Sequence, residues 1–443
     1  MSRPPGPPGW PLVGHLPGFL NDKLGFLTRC VEQYGDIVSL HIGEPTLLLN
    51  NPADIQHVLI DNSANYSKTW RLTGAGGKRM AGNGLHTSNG ATHLRQRRLL
   101  QPVFAWRSIA SFLDVMLART KRRMAAWTLS AARGGEISLA AETESLAVGI
   151  ILGSVFGSGF ADEKLESAIA ARRRYIEYMY GSVLPLREHL PLPVVREYRR
   201  AQSAIDLVIK RESEGPRDPQ SFATLFAALE YADGSGMDFS SRRDEILTML
   251  STGYETLGDA LGWTLYLLAQ HAAVESAVLA ELKAVLGDRD PGVDDLGKLT
   301  YTRQVIDESM RLYPPTWLIV RMAAESDTLP SGADVLPGSK LYLCQYVTQR
   351  CAKYFPDPLR FDPERFRVGG EGCQRPRFSY FPFGGGTRQC IGEHFALMEL
   401  VTVLALVLPR FRFEISPDEA IAPRPTITLR PKNGLRGRIV QRK

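Results

Sequence analysis

The spacing of apolar positions predicts a mostly helical protein with a small amount of β-sheet. Residues 37–42 and 46–50 are apolar or alternating runs on either side of a Gly-Glu-Pro turn, as in a β-hairpin. Residues 318–323 and 341–347 are predicted to form a second pair of strands. Between these two groups, the chain has the three- and four-residue apolar spacing of amphipathic helices.

The longest helical pattern extends from about residue 242 to residue 271. Its apolar positions recur on one face, at Ile246, Leu250, Leu257, Leu261, Leu265 and Leu268. At ~1.5 Å per residue, such a helix is about 45 Å long. Gly253 costs ~1 kcal/mol in a helix interior, and a threonine hydroxyl can bond the preceding turn. We therefore expect a local bulge at residues 252–257.

Two shorter apolar stretches, residues 146–156 and 397–408, are predicted to be core helices. No run reaches the ~18 apolar residues that a membrane-spanning helix needs. The proline-rich start of the chain has no apolar segment typical of a signal peptide. We therefore expect a soluble, cytoplasmic protein without a membrane span. The longest segment without predicted structure is the basic, glycine-rich region 68–90.

Composition and charge narrow the class of protein. The 443 residues contain no evident linker or repeat, which predicts one domain over residues 1–443, with a small β-rich lobe from residues 30–60 and 315–350. The net charge of +6 is spread along the chain, which argues against a nucleic-acid partner. The five cysteines are Cys30, Cys344, Cys351, Cys373 and Cys390. Their odd number argues against a disulfide scaffold, and the lack of a CxxC pair argues against a zinc site.

One of these cysteines lies on a glycine-rich loop, FGGGTRQCIG, directly before a helical pattern. Backbone N–H groups and an arginine stabilise a thiolate there, which is the form of cysteine that binds metals. The loop resembles the haem loop of the cytochrome P-450 superfamily, in which this cysteine is the proximal iron ligand. The resemblance assigns Cys390 to the iron, and Phe383, Gly384, Arg388 and Gly392 to the cofactor site.

Within the long helical pattern, the segment GYET resembles the acid–alcohol motif of the same family. A hydroxyl backed by a carboxylate is suited to delivering the protons that O–O bond cleavage requires. The resemblance implies that Thr256 and Glu255 are the catalytic residues. The sequence departs from the family pattern at Thr252, where a small residue is usual, and at Leu257, where a second threonine is common.

An acid and a base, Glu308 and Arg311, lie three residues apart on a predicted helix. Together with the Leu-Tyr-Pro-Pro that follows, they resemble the Glu-x-x-Arg helix of the family. The later segment Pro-Glu-Arg-Phe resembles the one that supplies a second arginine, here Arg365. The resemblance implies a buried structural triad, from which removal of one partner costs ~3–5 kcal/mol.

A buried haem needs cationic partners for its two propionates. His93 and Arg97 are four residues apart on a predicted helix and resemble the family's Trp/His-x-x-x-Arg motif. Arg321 occupies a strand position at which the family carries another such arginine. With Arg388 of the cysteine loop, these residues make four expected propionate partners.

The resemblance runs from the proline-rich start to the last predicted turn. It implies a mainly α fold with a small β lobe (α+β), a triangular helical prism with haem b between the long distal helix and the cysteine loop. The implied activity is that of a monooxygenase, which uses O₂ and two electrons to hydroxylate or epoxidise a hydrophobic small molecule.

Because the sequence contains no flavin or iron–sulfur domain, a separate electron donor is expected, namely a ferredoxin or flavodoxin with its NAD(P)H reductase. Basic residues that could meet an acidic donor are Arg95, Arg98, Arg375 and Arg377. We expect the protein to be a monomer.

The resemblance also places the substrate pocket, in part near residues 175–193. The other expected pocket residues are largely apolar: Leu85, Leu250, Gly253, Thr316, Trp317, Leu318, Ile427 and Thr428. This favours a terpenoid or lipid-like substrate over a polyketide or steroid. Two alternatives are a peroxide-driven hydroxylase or isomerase, and a non-catalytic haem-thiolate sensor. The Glu255-Thr256 pair argues against both. Relatives that use peroxide commonly carry Arg-Pro there, and a sensor would use Cys390 without oxygen chemistry.

Overall fold

The computed structural model describes residues 4–161, 163–180, 192–214, 218–370, 374–416 and 421–442. Its α-helices are, in chain order, α1 Leu16–Asn21, α2 Lys23–Tyr34, α3 Pro52–Gln56, α4 Trp70–Thr73, α5 Ala75–Ala81, α6 Gly90–Leu100, α7 Trp106–Ile109, α8 Leu113–Arg133, α9 Leu139–Phe156, α10 Glu163–Tyr180, α11 Pro193–Glu214, α12 Phe222–Ala227, α13 Phe239–Thr252, α14 Glu255–Gln270, α15 Ala272–Leu286, α16 Val293–Leu296, α17 Thr300–Leu312, α18 Gln345–Thr348 and α19 Glu393–Val407.

The strands are short and fewer than the helices. They are β1 Ile37–His41, β2 Pro45–Leu49, β3 Tyr66–Ser67, β4 Ile137–Ser138, β5 Ile319–Ala323, β6 Asp327–Thr328, β7 Asp334–Val335, β8 Lys340–Leu343, β9 Phe411–Ile415, β10 Pro423–Pro425, β11 Leu429–Pro431 and β12 Arg436–Gln441. The expected mainly α fold with a small amount of sheet is confirmed.

The chain divides into two compact units. The first comprises residues 1–76 and 303–393, and the second comprises residues 77–302 and 394–443. That the whole chain behaves as one domain stays a prediction.

The first unit contains a five-stranded sheet of order β1-β2-β8-β5-β3. Strand β2 runs parallel to β8, and the other neighbours are antiparallel. Buried aliphatic side chains of the sheet pack against Phe378 and Phe381, which precede the cysteine loop. The apolar core therefore fixes the point at which that loop begins.

In the second unit, α9 packs against α14. A Cβ on Gly258 of α14 would lie 2.9 Å from the Cα of Glu144 on α9, so only glycine permits this approach. Helix α9 is long and apolar enough to cross a membrane by length and composition. It is the one such helix among the described residues, and 67% of it is buried inside the structure. Helices α9 and α19 are core helices, as their apolar runs predict.

The predicted hairpin is confirmed as β1 and β2, in which Ile37 pairs with Leu49. The strand predicted at residues 341–347 is wrong beyond Leu343, because residues 345–348 form helix α18. The physical reason is that the Gln345 amide donates to the carbonyl of Phe381, and Gln349, one helical turn later, donates to that of Met310. Helical spacing places both buried amides on one face.

Two further expectations need correction. Region 68–90, predicted to lack structure, contains α4 and α5. The long helix predicted from about residue 242 to 271 is instead two helices, α13 and α14, interrupted at Gly253 and Tyr254. The interruption falls where a bulge is predicted. The Thr256 hydroxyl donates to the carbonyl of Thr252 at 2.9 Å, which occupies an acceptor of the preceding turn.

Candidate active site

The cysteine loop is closed by its own backbone. The N–H of Cys390 donates to the carbonyl of Phe383 at 2.9 Å, and the N–H of Gly384 donates to the carbonyl of Phe381 at the same distance. A 3₁₀ turn over Gly386–Arg388 lies between these bonds. Cys390 is exposed and lies three residues before α19. The thiol is thus held on a short, backbone-closed loop beside a helix N-terminus.

Glycine is required at two positions of this loop. Gly384 and Gly386 have φ values of +72° and +66°, which favour glycine. A Cβ on Gly386 would lie 1.9 Å from the carbonyl oxygen of Leu59. Leu59 belongs to a π-helix, His57–Asp61. The Nε2 atom of His57 lies within hydrogen-bond distance, 2.8 Å, of the Asp327 carboxylate. The loop therefore rests directly on the backbone of this π-helix.

Three cations of the first unit act on one another near this loop. Burial, then the charges of Arg388 and Arg321, lowers the pKa of Lys68 to about 7. Burial, then the charge of Arg388, lowers the pKa of Arg321 to about 10. Mutual repulsion of this kind is relieved by a bound anion.

These residues fit the haem that the sequence resemblance implies. A short, backbone-closed loop that presents a thiol beside a helix N-terminus suits iron ligation. The cations Lys68, Arg321 and Arg388 suit two propionates. The described residues contain no cluster of three or more His, Cys, Asp or Glu side chains that could hold a metal ion by themselves.

Glu308 and Arg311 of α17 form a fully buried ion pair, with both side chains 0% exposed. Arg311 donates to the two carboxylate oxygens at 2.6 and 2.8 Å, and to the carbonyls of Gln349 and Pro358. The Nε of Arg365 lies 3.5 Å from Glu308. The structure therefore brings the three residues expected to form a triad into contact.

The acid–alcohol pair belongs to the second unit. Glu255 is the first residue of α14 and is buried, and Thr256 is half-buried. Burial raises the pKa of Glu255, against the opposing charges of Arg430 and Arg173. The Tyr254 hydroxyl donates to Glu255 at 3.3 Å. A carboxyl with a raised pKa next to a hydroxyl is suited to proton transfer.

The other expected site residues are divided between the units. His93 is buried and Arg97 half-buried on α6 of the second unit, where helical spacing places them on one face. Leu85, Leu250, Gly253, Ile427 and Thr428 also belong to the second unit, whereas Thr316, Trp317 and Leu318 belong to the first. Residues 181–191 of the expected pocket segment, and Cys373, lie outside the described residues.

Three of the four arginines expected to meet an electron donor have contacts within their own unit. Arg377 lies over the ring of Phe378. Arg95 lies 3.0 Å from Asp233 and over the ring of Tyr231. Arg375 lies over the rings of Phe355 and Phe366.

Sequence reasoning missed Lys68. The residue follows β3, and the register of β3 with β5 pairs Ser67 with Met322. Continuing that register by one residue places Lys68 opposite Arg321. The signal lies in the pairing of two strands that are far apart in the chain, which the sequence alone does not reveal.

Comparison with known proteins agrees with this geometry. A family model described as Cytochrome P450 matches residues 4–435. Cyclooctatin synthase of Streptomyces melanosporofaciens is 32% identical over 434 residues, covering 96% of this chain and 92% of the relative. Cyclooctat-9-en-7-ol 5-monooxygenase of the same organism is 30% identical, covering 93% and 89%. Pentalenene oxygenase of Streptomyces avermitilis is 26% identical, covering 98% and 96%.

Solved structures show the same fold. The cytochrome P450DA heme domain superposes with a TM-score of 0.88 at 22% identity, covering 100% of this chain and 98% of that one. Retinoic acid-bound cyanobacterial CYP120A1 superposes with a TM-score of 0.87 at 24% identity, covering all of both chains. The chain belongs to the cytochrome P450 family.

Proposed function

We propose that this cytochrome P450 monooxygenase hydroxylates or epoxidises a terpenoid, with electrons from a separate redox protein. Each turnover consumes O₂, two electrons and two protons, and yields one oxidised substrate and one water. The observation that carries the proposal is a thiol on a glycine loop, Cys390, in the same unit as three buried or half-buried cations.

Haem b is the proposed cofactor, with Cys390 as its iron ligand. Arg388, Arg321 and Lys68 would hold the propionates, and His93 and Arg97 are proposed as further partners. When bound, the haem would supply the activation of O₂ and the transfer of one oxygen atom. The protein residues bind it, orient it and supply protons.

Proton delivery is proposed for Thr256 and Glu255. Burial raises the pKa of Glu255, which favours its protonated form. The Thr256 hydroxyl would position that proton or a water molecule. Thr256→Ala should therefore divert electrons from product to hydrogen peroxide, and unchanged coupling of electrons to product would remove this assignment.

The terpenoid proposal has two supports. The expected pocket residues are largely apolar, and Leu85, Leu250 and Trp317 are buried. Relatives that cover most of this chain oxidise terpenoids. The test is turnover of cyclooctat-9-en-7-ol and of pentalenene with a ferredoxin and its reductase. Oxygenated product from either supports the proposal, and product only from fatty acids or steroids would contradict it.

A ferredoxin or flavodoxin with its NAD(P)H reductase is the proposed electron donor. Arg98 is exposed on α6 and offers a cation to an acidic partner. We also propose that the protein is a soluble, cytoplasmic monomer.

A further inference from the structure

A second carboxyl group lies one helical turn beyond the acid of the acid–alcohol pair. Asp259 of α14 is 4% exposed, and its Oδ2 atom has no hydrogen-bond partner among the described residues. Glu255 and Asp259 are four residues apart, so their side chains share one face of the helix. Asp259 is not part of the family motif that identifies Glu255 and Thr256.

An arginine from the C-terminal hairpin connects Asp259 to two other acids. Arg430 of β11 lies 3.6 Å from Asp259 through Nε and 3.0 Å from Glu177 of α10 through Nη1. Its remaining nitrogen donates to Glu144 of α9. Arg173 of α10 also bonds Glu144. Four elements of the second unit therefore converge on one charged cluster.

Carboxyl groups outnumber the cations that contact them in this cluster. The carboxyl groups belong to Glu144, Glu177, Glu255 and Asp259. The cations in contact with them are Arg430 and Arg173. Buried charge that is not neutralised is costly, which favours a proton on a buried carboxyl group of the cluster.

The exposed fraction of the side chains decreases from Glu177 to Asp259. Glu177 is 30% exposed, Glu144 and Arg430 are 15% exposed, and Asp259 is 4% exposed. The direct approach of α9 to Gly258, next to Asp259, holds Glu144 against α14. The charge of Arg430 acts on both Asp259 and Glu255. Arg430 therefore links the two buried acids to a carboxyl group that reaches solvent.

We propose that Asp259 is the proton reserve of this enzyme: it reloads Glu255 during turnover, and Arg430 positions it at the inner end of a polar path that opens to solvent at Glu177. This inference rests on the proposed monooxygenase function. In the step, the O–H bond of Asp259 breaks and an O–H bond on the Glu255 carboxylate forms. Asp259 then regains a proton from solvent, so two passages supply the two protons of one turnover.

The charged neighbours of Asp259 place its titration near neutral pH. Burial raises the pKa of Asp259 to about 7, and the nearby Glu255 raises it further, whereas Arg430, the Thr428 hydroxyl and Arg173 oppose that rise. At neutral pH the carboxyl group therefore exchanges its proton readily in both directions, as a reserve must.

The first experiment is an infrared titration of the carboxyl C=O stretch in the parent and in Asp259→Asn, read as the difference between the two proteins so that other protonated acids, such as Glu245, cancel. We expect the difference to contain a protonated-carboxyl band that disappears as the pH rises through about 7. The measurement needs neither substrate nor electron donor, so it stands even if the proposed function fails. A difference spectrum without that band would overturn the inference.

The second experiment measures how much of the electron flow ends in product, using cyclooctat-9-en-7-ol or pentalenene, below and above pH 7. In the parent, coupling should fall as Asp259 loses its proton. In Asp259→Asn, coupling should be roughly tenfold lower below pH 7 and should show no such fall. Asp259→Glu, which restores a titrating group, should recover coupling and its pH dependence.

The matched control is Glu275→Gln. Glu275 of α15 pairs with Arg442 at 2.6 Å and is 11% exposed, but it belongs to a separate ion pair. The Glu275→Gln variant should leave the pH profile of coupling unchanged. A change seen in Asp259→Asn but not in this control therefore reports proton supply rather than a general loss of stability. If Asp259→Asn does not fold, Arg430→Lys keeps the carboxyl group but replaces the guanidinium fork with a point charge, and it should shift the same pH profile.

The outcomes distinguish the two levels of the proposal. If Thr256→Ala diverts electrons to peroxide but Asp259→Asn keeps the coupling and pH profile of the parent, the proton reserve is refuted and the monooxygenase function stands. If the parent lacks the spectrum of a thiolate-ligated haem, the proposed function fails, and the infrared band alone decides whether Asp259 holds a proton.

Discussion

Arg311→Met is the substitution whose cost the structure defines best. Arg311 is fully buried and donates to both oxygens of Glu308, at 2.6 and 2.8 Å. It also donates to the carbonyls of Gln349, Pro358 and Arg360, at 2.8, 2.7 and 3.2 Å. Methionine fills similar space but supplies none of these donors.

The loss of unfolding free energy depends on the polar groups that Arg311 leaves without a donor. Breaking a buried ion pair by removing one partner costs ~3–5 kcal/mol. Arg365 at 3.5 Å and the N–H of Asp362 at 2.9 Å still face Glu308, so its carboxylate is not wholly stranded. The three carbonyls lose a donor, at ~1–3 kcal/mol for each that water does not reach. We expect a loss of about 3–5 kcal/mol, a large part of the ~5–15 kcal/mol that stabilises a typical domain.

The assay is denaturant unfolding together with the haem content of the purified protein. The matched control is Arg367→Met, which removes an exposed ion pair with Glu364 and should cause no measurable change. The double variant Glu308→Leu/Arg311→Met should cost less than the single variant, because the fully buried carboxylate is removed together with its partner. A loss below about 1 kcal/mol in Arg311→Met, with haem retained, would refute the reasoning.

Three other predictions concern single titrating or charged groups. Because the pKa of Lys68 is lowered from 10.5 to about 7, the fold without haem should lose stability as pH falls through that range. In denaturant unfolding, Lys68→Gln should remove this loss of stability at lower pH. The same variant should release haem faster, and an unchanged release rate would contradict a role of Lys68 in haem binding. The pKa of Glu245, which accepts from the N–H of Leu85, is raised from 4.5 to about 7, mainly by burial, so stability should fall as pH rises through about 7. Glu245→Gln should flatten this pH dependence in thermal unfolding, and the slope of the parent in the variant would contradict it. Arg98→Glu should slow reduction by an acidic ferredoxin in stopped-flow experiments, most at low salt, and unchanged kinetics would argue against this docking site.

The sequence predicts those features that depend on short-range spacing. The hairpin of β1 and β2, the helix that carries His93 and Arg97, and the interruption near Gly253 follow from local patterns. The strand predicted at residues 341–347 is wrong beyond Leu343, although apolar residues continue there as Tyr346 and Val347. With residues 345–348 in a helix, the Gln345 and Gln349 amides donate to the carbonyls of Phe381 and Met310. Tertiary hydrogen bonds outweigh the local pattern at that point.

Short-range spacing also decides which residues of the candidate site the sequence predicts. Motifs whose partners lie within a few residues identify Cys390, Glu255 and Glu308. Lys68 is not, because its relation to Arg321 depends on a strand pairing between distant parts of the chain. Asp259 is likewise missed, because its partner Arg430 is far away in sequence. The role proposed for Asp259 can be inferred only from the fold, which brings Arg430 next to it.

The central claim is that Cys390 ligates a haem iron as a thiolate. The most direct measurement is the difference spectrum of the reduced protein with and without carbon monoxide, for the parent and for Cys390→Ser. A strongly red-shifted Soret band in the parent that is lost in the variant is the predicted result. An unshifted band in the parent, or the same shifted band in both proteins, would contradict the claim.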